Sequence, residues 1–244
     1  MNRFTGKVAV VFAASRGIGR AVAERLGREG AAVVVNYASS RAKADEAVAA
    51  ITGADGRAFA AQGDVSNAAD VARVFDAAVE RWGTIDVVVN AAGVSVFKPT
   101  AEITDADFDR VFAVNARGAM YVLREAARRV ADGGRVVHFS TGGTKMTMPA
   151  TGLYAASKAA GELLALNLAK ELGPRGVTVN VVSPGATDTD GLIMPKEAID
   201  QLVGMTPLGR LGRPADVADV VAFLASDDAR WVTGQNLQAN GGIL

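Results

Sequence analysis

Short apolar runs alternate along the chain with longer segments in which apolar residues recur every three or four positions. The short runs are rich in Val and apolar at consecutive positions, which is typical of strands buried on both faces. We predict strands at Lys7–Ala13, Ala32–Asn36, Arg57–Ala61, Ile85–Asn90, Gly134–Phe139, Val177–Val182 and Asn236–Ala239. We predict helices at about 17–29, 40–52, 67–82, 104–130, 152–172 and 214–225.

Strands that are apolar on both faces need helices on both sides of the sheet. The alternation therefore predicts an α/β fold, a doubly wound parallel sheet of the Rossmann type with helices on both faces. No low-complexity linker, charge block or repeat interrupts the sequence, so we predict a single domain over residues 1–244.

Composition narrows the classes of function. Lys+Arg 26 balances Asp+Glu 26, so we expect neither nucleic acid nor an anionic membrane as a partner. The apolar runs are too short to span a bilayer. The chain has no Cys and a single histidine, His138, which argues against a disulfide framework and against a metal site. The first residues, MNRFTGKVAVVF, lack a cleavage signature, so we expect a cytoplasmic protein.

The segment VVFAASRGIGRAVA, which follows the start of the first apolar run, has the pattern of a phosphate-binding turn between a strand and a helix. Gly17 and Gly19 would let the backbone approach a pyrophosphate, and Ser15 and Arg16 would add polar contacts. Ala13 stands where such a turn normally has its first glycine. Because glycines also mark ordinary turns, this segment alone does not identify a nucleotide site.

Several further motifs, in a fixed order, make the pattern specific. They are AASRGIG at 13–19, NAAG at 90–93, Asn115, Ser140, YAASK at 154–158 and SPG at 183–185. Together they resemble the short-chain dehydrogenase/reductase family along nearly the full chain. The resemblance implies a nicotinamide cofactor and an oxidoreductase.

The chain departs from the family's usual Thr-Gly opening, because it has Phe12 and Ala13 there. A methyl group at Ala13 would crowd the cofactor or, if φ is positive, would cost about 1 kcal/mol of strain. Phe12 lacks the hydroxyl that in the family ties the first turn to the NAAG strand end. We therefore expect Phe12 to fill core space and Asn90 to need another partner.

The end of the second strand bears on which cofactor binds. The segment VVVNYASSRAK has no carboxylate to repel a 2′-phosphate, and the guanidinium groups of Arg16 and Arg41 would attract one. We predict NADP(H). The alternative is that Ser39 only caps a helix and Arg41 is a solvated charge. Asp64-Val65 resembles the family's adenine-contacting pair, and its alternative role is a helix cap.

The resemblance implies a set of cofactor-binding residues at the strand ends. They are Ala13, Ser15, Arg16, Gly17, Ile18, Gly19, Asn36, Tyr37, Ser39, Ser40, Arg41, Asp64, Val65, Asn90, Ala91, Ala92, Gly93, Tyr154, Lys158, Pro184, Gly185 and Thr187.

The chemistry is predicted to depend on Tyr154 and Lys158, which are four residues apart and share a helix face. A nearby cation favours phenolate, so we expect the pKa of the Tyr154 hydroxyl to fall by about 2 units toward neutral pH. The phenol would then exchange a proton with the substrate while hydride moves to or from nicotinamide.

Two hydroxyls are candidates for contacting the substrate carbonyl. Ser140 precedes Tyr154 by 14 residues, a spacing that, with Pro149, resembles family members that reduce polyhydroxynaphthalenes. Thr141 precedes it by 13, the commoner family spacing. We predict Ser140, with Thr141 as the alternative.

Two other polar residues accompany this strand and helix. Asn115 resembles the family's helix asparagine, which holds a water on the proton path with the lysine, and a role as a buried hydrogen-bond partner is equally compatible. His138 lies on the same strand face as Ser140. We exclude a Ser–His hydrolase because no G-x-S-x-G elbow is present.

Recognition of the substrate is assigned to a lid over about 186–210, as the resemblance implies. A mainly apolar pocket is expected, from Leu192, Ile193, Met194, Met146, Met148, Val94 and Phe97. Similar family members include 3-oxoacyl carrier-protein reductases, for which Arg128-Arg129 would suit an acidic carrier. The alternative is that these two arginines are solvated charges at a helix end.

We therefore predict an NADP(H)-dependent oxidoreductase that acts on a carbonyl or secondary alcohol of an apolar, cyclic or acyl compound. The alternative is a cofactor-sensing regulatory or scaffolding protein whose turnover is impaired by Phe12 and Ala13. The Ala-rich helices at 104–130 and 152–172 pair between subunits in the family, which predicts a homotetramer with two-fold axes.

Overall fold

A single parallel sheet organises the chain. The computed structural model describes residues 2–192 and 194–244. Within them, strands pair in parallel in the order β3-β2-β1-β4-β5-β6-β7. The strands are β1 Val8–Phe12, β2 Ala32–Tyr37, β3 Arg57–Gln62, β4 Val87–Asn90, β5 Arg135–Phe139, β6 Thr178–Pro184 and β7 Asn236–Ala239.

Helices cover both faces of this sheet. They are α1 Gly17–Arg28, α2 Arg41–Thr52, α3 Ala68–Trp82, α4 Asp105–Phe112, α5 Ala119–Arg129, α6 Gly152–Leu172, α7 Lys196–Met205 and α8 Pro214–Ala225. Side chains of α1, α2 and α8 share one hydrophobic core with Val11 of β1. Those of α3, α5 and α6 share a second core with Val10, the next residue along the strand. Consecutive side chains of a strand point to opposite faces, so the sheet separates the two cores and the predicted doubly wound fold is confirmed.

Two elements differ from the sequence-based expectation. The helix predicted over 104–130 is interrupted, because Ala113–Gly118 forms π-helical turns between α4 and α5. Helix α7 lies inside the predicted lid and was not predicted. None of its residues is buried, so its apolar residues do not pack into the core that normally identifies a helix by its periodicity.

The strand order determines where a ligand can bind. The chain runs outward from β1 to β3 on one side and from β4 to β7 on the other, so the direction of winding reverses between β1 and β4. Ligands of doubly wound sheets bind in the crevice at the carboxyl ends of the strands at such a point. The predicted motifs after β1, β4, β5 and β6 all lie at that edge.

A helix that crosses a bilayer needs about 20 predominantly apolar residues. None of the helices in the described part of the chain meets that requirement.

Candidate active site

The turn between β1 and α1 is a close-packed cradle. A Cβ atom at Gly19 would lie 2.3 Å from the Ala13 carbonyl oxygen, so a side chain there would force the helix away from the turn. Gly17 has a φ of +56°, which favours glycine. The N-cap residue, Arg16, makes no side-chain cap hydrogen bond, and the first turn of α1 contains no acidic residue. This helix N-terminus therefore suits an anion such as a pyrophosphate.

Ala13 has a positive φ of 55°. Of the two consequences expected for an alanine at this position, backbone strain is therefore the one that applies, at a cost of about 1 kcal/mol. The Ala13 N–H donates to the Asn36 Oδ1 atom at 3.2 Å, and the Ala14 N–H donates to the Asn36 carbonyl at 2.8 Å. The end of β2 thus holds the strained turn in place.

Asn36 was predicted to contact the cofactor, and its side chain is buried beneath the turn. Besides accepting from Ala13, it donates through Nδ2 to the carbonyls of Ala61 at 3.2 Å and Gly63 at 3.0 Å. These bonds join the ends of β1, β2 and β3. Asn36 therefore supports the cradle from behind.

The residues after β2 present positive charge. Arg41 is exposed and pairs with Asp45 at 2.9 Å, which matches the alternative of a solvated charge. The N-cap of α2 is Ser40 and not Ser39, and the Ser40 side chain makes no cap hydrogen bond. Capping therefore does not occupy either hydroxyl.

Lys43 was not predicted as a site residue. Its ammonium lies 2.8 Å from the Asp190 carboxylate, and this contact, aided by the charge of Arg16, lowers the pKa of Asp190. Lys43 is inside α2 and belongs to no local motif, so only the folded chain brings its charge and that of Arg16 within range of the same Asp190 carboxylate. The segment after β6 thereby contacts the basic group at the end of β2.

The segment after β3 is organised locally. Asp64 accepts hydrogen bonds from the Ser66 backbone at 2.8 Å and hydroxyl at 2.9 Å. The cap of α3 is Asn67, so Asp64 does not fill the alternative role of helix cap. Val65 is buried and packs where a side chain at Gly118 would collide with it.

The strand-end residue Asn90 has the substitute partner that the sequence led us to expect. Phe12 is fully buried and packs on Phe75 with ring centroids 5.7 Å apart. Asn90 instead places its Nδ2 atom 3.3 Å from Nδ1 of His138, and its Oδ1 atom accepts from the Ala92 N–H at 3.2 Å. The NAAG turn is thus anchored to β5.

Lys158 reaches this turn from α6. Its Nζ atom donates to the Ala92 carbonyl at 3.2 Å, and a Cβ atom at Gly93 would lie only 3.2 Å from the same ammonium. Burial lowers the pKa of Lys158 to about 8. A side chain at Gly93 would therefore crowd the ammonium where the NAAG turn passes over the lysine.

Asn115 lies in the π-helical segment, a feature often found at functional sites. Its Oδ1 atom accepts from the Val94 N–H at 2.8 Å. Its Nδ2 atom donates to the Val94 carbonyl at 2.8 Å and to the Ser157 hydroxyl at 2.9 Å. The side chain fills the role of a buried hydrogen-bond partner and joins the segment after β4 to α6.

The structure separates the two candidate hydroxyls. Ser140 is buried and donates to the Glu162 Oε2 atom at 2.9 Å, because it lies on the strand face covered by α6. The Thr141 side chain lies near enough to Tyr154 to act on the pKa of the phenol, which it lowers. The geometry therefore favours Thr141, the alternative, over the predicted Ser140.

Tyr154 differs electrostatically from the expectation. Burial raises the pKa of its hydroxyl above the ordinary value, and the hydrogen bond with Thr141 offsets only part of this rise. The expected lowering by Lys158 is not found, and desolvation, which penalises the phenolate, dominates. Tyr154 is therefore protonated at neutral pH in this state of the protein.

The segment after β6 closes one side of the site. Thr187 donates to the Gly185 carbonyl at 3.0 Å, and a Cβ atom at Gly185 would lie 2.9 Å from the Cα of Asn240. Both residues therefore support the chain locally.

Among the expected pocket residues, Phe97 is half exposed and packs edge-on against Tyr154 with ring centroids 5.7 Å apart. Ile193 lies outside the described residues.

Known proteins are similar to this chain over nearly its full length. A family model described as enoyl-(acyl carrier protein) reductase matches residues 12–244. An uncharacterized oxidoreductase of Methylorubrum extorquens is 47% identical, with 100% of each chain covered. A hydroxynaphthalene reductase-like protein of Metarhizium brunneum is 40% identical, over 97% of this chain and 94% of that protein.

Solved structures are similar over the whole chain. The angucycline C-6 ketoreductase LanV with bound NADP is 41% identical, with a TM-score of 0.95 over 100% of this chain and 97% of its own. The structure of LanV with bound NADP and rabelomycin has a TM-score of 0.91 at 40% identity, over 100% and 98% of the two chains.

The buried lysine should cost stability. The pKa of Lys158 is lowered from 10.5 to about 8 because the folded state disfavours the charged form, which corresponds to a destabilisation of about 3 kcal/mol. This destabilisation is fully present below pH 8 and is lost as the pH rises to 10.5. Lys158→Met should therefore raise the free energy of unfolding at pH 7 by up to about 3 kcal/mol. Urea titrations should show that the difference in free energy of unfolding between Lys158→Met and the parent protein is smaller at pH 9.5 than at pH 7.

The exposed Lys170, on the same helix, offers the matched control. Lys170→Met should show no such pH-dependent gap. The electrostatic interpretation would be contradicted if the Lys158→Met protein were less stable than the parent at pH 7 and the difference in free energy of unfolding were the same at pH 9.5.

Proposed function

The chain belongs to the short-chain dehydrogenase/reductase family, and on that premise we propose that it is an NADPH-dependent reductase of carbonyl groups on polycyclic, polyketide-like compounds. The observation that carries the proposal is a buried Lys158 one helical turn from Tyr154 on α6, with its ammonium held at the carboxyl edge of the sheet by the Ala92 carbonyl. A protein that only binds a nucleotide has no use for a buried lysine next to a phenol. The relatives reported above include a ketoreductase, and they give no support to the regulatory or scaffolding alternative.

The residues present fit a dinucleotide. The uncapped N-terminus of α1 would receive the pyrophosphate, and the tight passage of Gly93 over Lys158 would bring the NAAG backbone close to the cofactor. Arg16, Arg41 and Lys43 would attract a 2′-phosphate. When bound, NADPH supplies the hydride.

The chain's own residues handle the substrate oxygen. Thr141 donates a hydrogen bond to the carbonyl oxygen and Tyr154 donates the proton that completes the alcohol. The raised pKa of Tyr154 suits reduction, because the hydroxyl carries that proton at neutral pH. Lys158, held by Ala92, stabilises the phenolate that the transfer leaves behind.

Exposed apolar side chains near Tyr154 support a flat, apolar substrate. Phe97, which packs on Tyr154, is 52% exposed and Met148, six residues before Tyr154, is 38% exposed, so both side chains are available to an apolar ligand. The hydroxynaphthalene reductase-like protein and the angucycline ketoreductase have ring systems in their names. Arg128 and Arg129 both pair with Glu125, which weakens the case for an acidic carrier protein.

Screening the purified protein for ketone-dependent NADPH oxidation tests the proposed function. The panel should contain bicyclic and polycyclic aromatic ketones, with aliphatic ketones for comparison. We expect turnover of the aromatic ketones and its loss, by a factor of about a thousand or more, in Tyr154→Phe. A protein that binds NADPH but reduces none of these ketones would contradict the proposal.

The two hydroxyls give a matched pair of variants. Thr141→Val should lower kcat about a hundredfold, since it removes a hydrogen bond to the developing oxyanion while keeping the volume. Ser140→Ala should lower kcat much less, because Ser140 donates to Glu162 and not into the site. The reverse order of effects would restore Ser140 as the substrate-contacting residue.

The basic residues Arg16, Arg41 and Lys43 should determine the preference for NADPH over NADH. We expect NADPH to bind about tenfold or more tightly than NADH, which corresponds to about 1.4 kcal/mol. Arg41→Ala should weaken NADPH binding and leave NADH binding nearly unchanged, as fluorescence titration would show. Arg28→Ala, at an exposed site at the end of α1, is the control. Equal affinities for the two cofactors in the parent protein would rule the preference out.

We also propose a homotetramer with two-fold axes. Phe108 and Phe112 stack at 4.3 Å beside an open groove of about 470 Å³ on α4 and the π-helical segment, and Leu163 on α6 is 61% exposed. Sedimentation should give a tetramer at micromolar concentration, and Leu163→Glu should shift it to smaller species. Val79→Glu, on α3, is the control. A stable monomer in the parent protein would disprove this assembly.

A further inference from the structure

Three buried side chains lie level with one another across the centre of the sheet. The register pairs Phe12 of β1 with Asn90 of β4, and Asn90 with His138 of β5. All three are at most 2% exposed. The Phe12 side chain has no atom that can form a hydrogen bond with the Asn90 amide, and its ring packs on Phe75 instead. The hydrogen bonds of the Asn90 amide must therefore be satisfied from its other side.

The hydrogen bonds define the state of each group. Because the Asn90 Oδ1 atom accepts from the Ala92 N–H, its Nδ2 atom is the donor toward His138. The His138 Nδ1 atom must then be an acceptor, which places the ring proton on Nε2. Burial, together with the charge of Lys158, lowers the pKa of His138 to about 3, so the ring is neutral.

A continuous path leads from this imidazole to the lysine of the site. The Asn90 Oδ1 atom accepts a hydrogen bond from the Ala92 N–H, and the Ala92 carbonyl accepts one from the Lys158 ammonium at 3.2 Å. A shift of the Asn90 amide would therefore move both the NAAG turn and the anchor of the lysine.

The other ring nitrogen makes the choice of histidine unusual. Within the described residues, Nε2 of His138 has no hydrogen-bond partner, and it lies so close to α6 that a Cβ atom at Gly161 would be 2.5 Å from it. An unpaired buried N–H opposes folding, and an apolar residue would fill the space without that penalty. The acceptor at Nδ1 is what a histidine provides here and an apolar residue does not.

We propose that His138 is a positioning residue that replaces the hydroxyl absent from Phe12, holding Asn90 so that the Ala92 carbonyl anchors Lys158. The role rests on the proposed function of this site as a reductase. His138 does not touch the substrate or the reacting atoms in it. Its effect is on the geometry of the NAAG turn, and thus on cofactor affinity and on the placement of the lysine.

A matched pair of substitutions separates the acceptor from the volume. Asparagine and leucine have nearly the same shape, and an asparagine Oδ1 atom can take the place of the histidine Nδ1 atom. His138→Leu should weaken NADPH binding about tenfold, the equivalent of one lost hydrogen bond in a buried network, whereas His138→Asn should stay within about threefold of the parent. Fluorescence titration gives the dissociation constants, and thermal unfolding without cofactor reports whether each variant is folded.

A rescue in the opposite strand tests the same path. Phe12→Thr places a hydroxyl on the other side of Asn90, at the cost of a cavity beside Phe75. In that background His138→Leu should change the dissociation constant by less than about threefold, because Asn90 then has a second partner. The comparison is made within the background, so the effect of the cavity cancels.

Equal losses of NADPH affinity in His138→Leu and His138→Asn would overturn the proposal, since ring volume and not the acceptor would then matter. Unchanged affinity in His138→Leu would overturn it as well. These binding measurements do not depend on turnover. A parent protein that reduces no ketone would refute the proposed function, while the Leu-versus-Asn comparison would still decide the role of His138.

Discussion

Buried hydrogen bonds at the carboxyl ends of the strands are the constraint on which the site depends. Parallel strands that end inside the protein leave N–H and carbonyl groups that water cannot reach, and each must be paired. Two asparagine side chains form hydrogen bonds with several of these backbone groups. Asn36 joins the ends of β1, β2 and β3, and Asn90 joins β4 to the NAAG turn and to β5. The same bonds hold the turns in the shape that an anionic cofactor requires.

The burial that makes this edge rigid also adjusts its chemistry. Desolvation raises the pKa of Tyr154 and lowers that of Lys158, so the phenol keeps its proton and the lysine holds its charge less firmly. At neutral pH only the Lys158 shift opposes folding, because the lysine is charged there, whereas Tyr154 is neutral in both the folded and the unfolded state. Such a cost is common at functional sites, where side chains are selected for their reactivity.

Neighbouring residues at the end of β5 have different hydrogen-bond partners and different roles. His138 and Ser140 point to the face covered by α6, where one pairs with Asn90 and the other with Glu162. Burial acts to raise the pKa of Glu162, but hydrogen bonds donated by the hydroxyls of Ser140 and Thr144 help to hold it below the ordinary value. A charged carboxylate thus holds Ser140 on the inner face. Thr141, the next residue, is left to contact Tyr154.

Local patterns in the sequence were sufficient to predict the fold. Consecutive apolar residues predict buried strands and periodic ones predict helices, because both signals lie within a few residues of chain. The spacing of Tyr154 and Lys158 on one helix is local in the same sense. The tertiary structure decided what depends on residues distant in the chain: that Thr141 and not Ser140 acts on the pKa of Tyr154, that the Asn36 side chain is buried beneath the turn, and that Lys43 pairs with Asp190. It also decided that His138 is the partner of Asn90, because only the pairing of β4 with β5 brings residues 48 positions apart to the same level of the sheet.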